Sequence, residues 1–153
     1  MPGRYFEDVE VGSVVTTACA HVSEDEMLAF ARAFDPQPMQ IDLEAAQRGR
    51  FQGLIASGWH TAALVMRLVA EARPFGDAEV LGMGVDELRW PTPVRPGDAI
   101  QSEIEITSKR VSQSNPDYGI VKVRVTTRNQ HGQVVMTHSP ACWVPRRPSN
   151  CTS

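Results

Sequence analysis

The sequence predicts an α+β fold in which an antiparallel β-sheet wraps around one long, apolar helix. Residues 58–73 place apolar side chains around most of a helical circumference, and residues 80–144 are a succession of long β-rich runs joined by short connections. A finer observation is the alternation of Ile100, Ile104 and Ile106 with Gln101, Glu103 and Glu105, the pattern of a half-buried antiparallel strand. A chain of 153 residues fits this arrangement as a single domain with one sizeable core.

The first element is a strand over residues 14–22, rich in valine and threonine. Ser23-Glu24-Asp25-Glu26 then reads as a capping box, Ser23 at the N-cap and Glu26 at N3, with acids set against the positive end of the helix dipole. Met27, Phe30, Ala31 and Phe34 follow at i, i+3, i+4 and i+7, so they are expected to form one buried face. Pro36 stops this helix, because the residue before a proline is pushed out of the α region. Asp42 can cap a short helix that runs through Ala46 and closes near Gly49.

The main helix starts at Ser57 or Gly58 and is closed by Pro74. Trp59, Ala62, Ala63, Leu64, Val65, Met66, Leu68, Val69 and Ala70 leave it almost no polar face, which predicts burial on most sides. Its polar residues His60, Arg67 and Glu71 form one narrow stripe that faces solvent, a cleft or a partner subunit. Strands are predicted over residues 80–90, 99–109, 118–129 and 133–144. Pro91, Pro93, Pro96 and Gly97 mark the first connection, Asn115-Pro116-Asp117 the second, and His131-Gly132 a tight hairpin. The tail after about residue 145 is expected to be flexible.

Composition narrows the function classes. A hydrophobic share of 42% and a charged share of 22% are those of an ordinary soluble globular domain. Net charge is −3 with no basic run, so nothing points to nucleic acid. The longest apolar run, within residues 59–72, is interrupted by His60, Arg67 and Glu71 and is too short to span a bilayer, so no membrane is expected. The N-terminus lacks the apolar core of a signal peptide. Cys19, Cys142 and Cys151 form no Cys-x-x-Cys pair, which argues against a disulfide framework or a zinc site and makes a cytoplasmic location the expectation. His21, His131 and His138 have no metal-ligand spacing, and no metal is expected.

Residues 35–42 read Asp-Pro-Gln-Pro-Met-Gln-Ile-Asp and residues 53–60 read Gly-Leu-Ile-Ala-Ser-Gly-Trp-His. Together these passages resemble the active-site segments of the MaoC-like dehydratases, which include the (R)-specific enoyl-CoA hydratases. Residues 89–98, Arg-Trp-Pro-Thr-Pro-Val-Arg-Pro-Gly-Asp, are similar to that family's strand-loop-strand segment, and Asn129-Gln130-His131-Gly132 to its late hairpin. The resemblance covers about residues 5–144. It implies a hotdog fold, a homodimer or a multiple of it with the site between subunits, and a substrate carried as an acyl-CoA or acyl-carrier-protein thioester. Coenzyme A would then be the substrate's carrier, and no separate cofactor is implied.

The family's motif runs roughly Asp-x-x-Pro-x-His-x-Asp, and its Asp and His activate water for syn addition across the 2,3-double bond of an enoyl thioester. Asp35 matches the Asp; the position of the His holds Gln40. An Asp before proline is also a common turn residue, so Asp35 is either a base kept proton-hungry by burial or a turn former. An amide cannot exchange a proton as an imidazole does, but Gln40 can hold a water while Asp35 acts alone. His60 is the best placed histidine to substitute, although a packing role is common for His at such a position. Ser57 and Gly58 suit the start of a buried helix. The resemblance implies in addition that amides around Gly58 bind the thioester carbonyl, with Ser57, Gly58, Trp59 and His60 as substrate-binding positions. Arg48 and Arg50 follow the Asp35 loop and are either solvated surface arginines or phosphate-binding groups for coenzyme A.

The expectation is therefore an enoyl-CoA hydratase or 3-hydroxyacyl-CoA dehydratase of fatty-acid metabolism, with Asp35 as base, Gln40 positioning water and Gly58 at the centre of the oxyanion donors. Two other classes stay open: a hotdog thioesterase, in which the carboxylate directs water at the carbonyl carbon, and a non-catalytic acyl-CoA-binding protein.

Overall fold

The computed structural model describes residues 4–149. Its strands are β1 (Val14–His21), β2 (Leu81–Arg89), β3 (Ala99–Val111), β4 (Tyr118–Arg128) and β5 (Val134–Pro145). Its helices are α1 (Glu24–Phe34), α2 (Pro38–Ile41), α3 (Leu43–Arg48) and α4 (Gly58–Ala72). The strands form one antiparallel five-stranded sheet in the order β1-β3-β4-β5-β2, with α4 packed across β1 and β3. Leu64, Val65 and Leu68 of α4 join Ile100, Ile104 and Ile106 of β3 and Val121, Val123 and Val125 of β4 in a single core. This is the predicted α+β hotdog arrangement.

Local chemistry explains the element boundaries. Ser23 accepts from the Glu26 amide at 3.1 Å, and Asp42 accepts from the amides of Glu44 and Ala45, so both predicted caps form. On β3, Ile100, Ser102, Ile104 and Ile106 are buried while Gln101, Glu103 and Glu105 face water. At the β4–β5 turn, Asn129 Oδ1 accepts from the His131 and Gln133 amides, and Gly132 takes φ 76°. Asp98 ties this hairpin to the loop before β3: one carboxylate oxygen accepts from the Arg95 amide and the other from Gln130 Nε2, each at 2.9 Å.

Several expectations are corrected. Phe34 is 76% exposed, and the buried face of α1 consists of Met27 and Ala31, with Phe30 half-buried. Periodicity tells which way Phe34 points, but as the last residue of α1 it packs only edgewise on Phe30, at 5.1 Å. Helix α4 is buried on one side rather than on most sides: Trp59, Ala63, Met66 and Ala70 are exposed, because no part of the described chain covers that face. The polar stripe also divides. Phe30 of α1 stacks on His60 and buries it, whereas Arg67 and Glu71 lie past that cover as an exposed pair 4.0 Å apart.

Within the tail expected to be flexible after about residue 145, Arg146 and Arg147 are hydrogen-bonded. The Arg146 guanidinium donates to Glu7 and to the Pro116 carbonyl, the Arg147 amide donates to Glu7 at 2.7 Å, and the Arg147 guanidinium pairs with Asp8. Glu7 and Asp8 belong to a 3-10 turn, Phe6–Asp8, whose Phe6 ring fills the place of a side chain at Gly119. A Cβ on Gly119 would stand 1.9–2.4 Å from Phe6 ring atoms, so glycine is required there. Cys151 lies outside the described residues.

Candidate active site

Pro36 cuts α1 short, and Asp35 becomes its C-cap at φ −150°, ψ 65° while its amide still donates to the Ala31 carbonyl. The side chain is half-buried, and Gln37 Nε2 donates to its Oδ1 at 2.6 Å. Helix α2 then turns Gln40 inward to 6% exposure. With its amide nitrogen turned toward the acid, the orientation its surroundings require, Gln40 donates to Asp35 Oδ2 at 2.7 Å. Both carboxylate oxygens of Asp35 therefore receive an amide N–H, and Gln40 Oε1 is left as an acceptor.

These donors set the acidity of Asp35. Gln37, then Ser57 and Gln40, hold the carboxyl below the usual carboxylate value, and partial burial opposes them only in part. At this carboxylate the side-chain donors outweigh burial. Ser57 stands at the predicted N-cap of α4, but its hydroxyl caps nothing. It is 1% exposed and its Oγ has no partner in hydrogen-bonding geometry, although it lies close enough to help keep Asp35 ionised. Strict geometry makes it an unengaged hydroxyl beside the acid rather than a fixed partner of it.

The first turn of α4 leaves the amides of Gly58 and Trp59 without intrahelical acceptors. Trp90, just after β2, explains the glycine: a Cβ on Gly58 would lie 2.7–3.0 Å from three atoms of its indole. Trp59, 61% exposed, meets the same indole edge-on at 5.3 Å. A cavity of about 380 Å³ opens here, lined by Gln40, Gly58 and Thr61 and by the loop from Trp90 to Val94. Arg50 and Phe51 border it, the Arg50 guanidinium 5.8 Å above the Phe51 ring, while Arg48 is exposed. A larger depression of about 490 Å³, between Pro116–Tyr118 and the tail, contains none of the candidate residues.

The structure brings Asp35, Gln40, Ser57 and Gly58 to this corner, and His60 follows on the first turn of α4. The His60 ring lies parallel to Phe30, 5.0 Å away, and its Nδ1 has no partner. Burial lowers its pKa and Glu26, in the first turn of α1, partly opposes this; Asp35 sits at the other end of that helix. His60 is thus packed against Phe30, with a pKa lowered by burial. His138 on β5 is likewise buried, unpartnered at Nδ1 and lowered in pKa by burial. Among the described residues no group of three or more His, Cys, Asp or Glu could hold a metal ion. Sequence reasoning missed Trp90 and Thr61. Neither carries a periodic signal, and only the bulky aromatic placed before Pro91 hinted at a packing role.

The profile of the family described as MaoC like domain matches residues 8–129. The crystal structure of a MaoC-like dehydratase from Rhodospirillum rubrum superposes with a TM-score of 0.87 at 41% identity, covering 96% of this chain and 100% of that one. The uncharacterized protein YdeM of Bacillus subtilis is 35% identical over 125 residues, 82% of this chain and 87% of its own. An (R)-specific enoyl-CoA hydratase of Rhodospirillum rubrum is 27% identical over 145 residues, 94% of each chain.

Proposed function

The chain belongs to the MaoC-like domain family, and from that premise we propose that it adds water to a 2-enoyl thioester, or removes water from the 3-hydroxyacyl thioester. The observation that carries this reading is the Asp35–Gln40 pair, whose amide lines a cavity that also reaches the first turn of α4. Asp35 accepts a proton from water as the water oxygen bonds to C3. Gln40 Oε1 accepts the water's other hydrogen and fixes its direction, without itself exchanging a proton. Charge develops on the thioester oxygen, where the amides of Gly58 and Trp59 can donate to it. Asp35 then returns its proton to C2, and the 3-hydroxyacyl thioester is complete with no further cofactor.

A depressed Asp35 pKa keeps the base ionised well into acid but makes it a weak one. The same observation favours a second reading, an acyl-CoA-binding protein that no longer hydrates. The reaction would take place in the cytoplasm on coenzyme A or acyl-carrier-protein thioesters, within fatty-acid metabolism. The protein would act as a homodimer or a multiple of it. Strand β2 pairs only with β5 and exposes Leu81, Met83 and Val85 at 63%, 48% and 53%, an edge that a second copy would cover.

Crotonyl-CoA distinguishes the readings. Hydration appears as loss of enoyl absorbance without free thiol, a thioesterase releases thiol, and binding without either supports the non-catalytic protein.

A further inference from the structure

Ser57 occupies the N-cap of α4, a position at which a serine hydroxyl ordinarily accepts from an amide of the first turn. Here it does not. The side chain is 1% exposed, and its Oγ has no partner among the described residues. An orphaned buried hydroxyl costs folding free energy and marks a place where a ligand or reacting group completes the site. Its two neighbours in sequence, Ala56 and Gly58, both line the cavity, as does Gln40. Ser57 helps to set the acidity of Asp35. Gln40 thus lines the cavity and holds the acid, and the buried Ser57 hydroxyl stands behind that wall, close enough to influence Asp35.

We propose that Ser57 is a catalytic residue of the hydration reaction, its Oγ accepting the proton of the attacking water and passing its own hydroxyl proton to Asp35. This rests on the hydratase reading above and deepens it, since it supplies a relay where Gln40 has none. The step balances. The water O–H bond breaks as its oxygen bonds to C3, Ser57 Oγ gains that proton and loses its own to Asp35 Oδ, and the alkene electron pair moves onto the thioester oxygen. When the enolate collapses, Asp35 returns the proton to C2, and serine and carboxylate regain their starting forms. A hydroxyl can do this because it donates and accepts at once, which the amide of Gln40 cannot do with a transferable proton.

The relay and a purely structural serine predict opposite results for Ser57→Ala. Because the hydroxyl caps no amide of α4, its removal should leave the Tm nearly unchanged, whereas loss of a helix cap would lower it. The kcat for crotonyl-CoA should fall about 10²-fold, the scale of losing one well-placed polar group at a reacting centre, with KM changed far less. The acidic limb of the pH profile should move to higher pH, since the ionised form of Asp35 loses a donor. Ser57→Cys, which keeps a transferable proton, should recover part of kcat. A ¹³C titration of the Asp35 carboxyl, which needs no turnover, checks the same upward movement. An active parent with equally active Ser57→Ala, or a Ser57→Ala with reduced Tm and unmoved pH profile, overturns the relay alone. A parent that never hydrates an enoyl thioester overturns the hydratase reading, and the relay with it.

Discussion

The half of the molecule built from β1, β3, β4 and the inner face of α4 holds most of the packed core, while β2 is exposed and β5 and the start of α4 hold buried polar atoms without partners among the described residues. In the first half, Ile104, Val121 and Val125 are at most 1% exposed, and the buried hydroxyls of Ser102 and Thr127 pair with each other at 2.7 Å. In the second, β2 is exposed along almost its whole length, and Trp59 and Met66 of α4 face outward. Among the described residues, the buried side-chain polar atoms without partners, Ser57 Oγ, His60 Nδ1, His138 Nδ1 and Trp143 Nε1, lie at the start of α4 or on β5. Violations concentrated in one region mark surface that awaits a substrate or a second chain, whereas the satisfied region serves as scaffold.

Mutation of the scaffold should show the largest cost. Ile104→Ala empties a fully packed position, so chemical denaturation should report a loss of about 2–5 kcal/mol. A loss below 1 kcal/mol would mean that this half is no better packed than the other. At the site, Gln40→His restores an imidazole beside Asp35 and should raise kcat/KM for enoyl-CoA by about tenfold or more, on the usual scale of acid–base groups. No gain at any chain length would indicate a cavity no longer shaped for hydration.

The unpartnered histidines give the second half a pH signature. Burial holds the pKa of His60 and His138 below the 6.5 of an ordinary histidine. The unfolded chain therefore takes up protons first as pH falls through that value. Stability is complete above it and declines below it, by at most about 1.4 kcal/mol per pH unit for each histidine. Replacing both with leucine should flatten stability measured between pH 5 and 7, and an unchanged slope would show that they are not buried neutral. The smallest effect on folding belongs to the β2 edge. Met83→Lys with Val85→Lys touches exposed side chains, so monomer stability should stay within about 0.5 kcal/mol, while light scattering should show the proposed dimer reduced to a single chain. A double variant that remains dimeric would place the interface elsewhere.

Elements whose signals are local were legible in the sequence. The β3 alternation, the Ser23 and Asp42 caps and the Asn129–Gly132 hairpin each depend on residues a few positions apart. The second half was read less well because its determinants are distant in sequence. Nothing near Gly58 announces that Trp90 will lie against it. The apolar circumference of α4 was legible, but it does not say whether this chain or another covers Trp59 and Met66. Asp35 and Gln40 were found through the motif, yet the Gln37 bond that acidifies Asp35 depends on how Pro36 and Pro38 fold the segment back.

The most direct measurement is hydration of crotonyl-CoA by the parent protein and by Asp35→Asn, followed by enoyl absorbance with a parallel assay for free thiol. Asp35 is half-buried and serves mainly as the acceptor for Gln37 and Gln40, so the variant should fold with nearly the parent Tm. The expected result is enoyl loss without thiol in the parent and a fall of about 10²–10⁴-fold in the variant. Equal rates in the two proteins, or thiol release in place of hydration, would contradict an Asp35-driven hydratase.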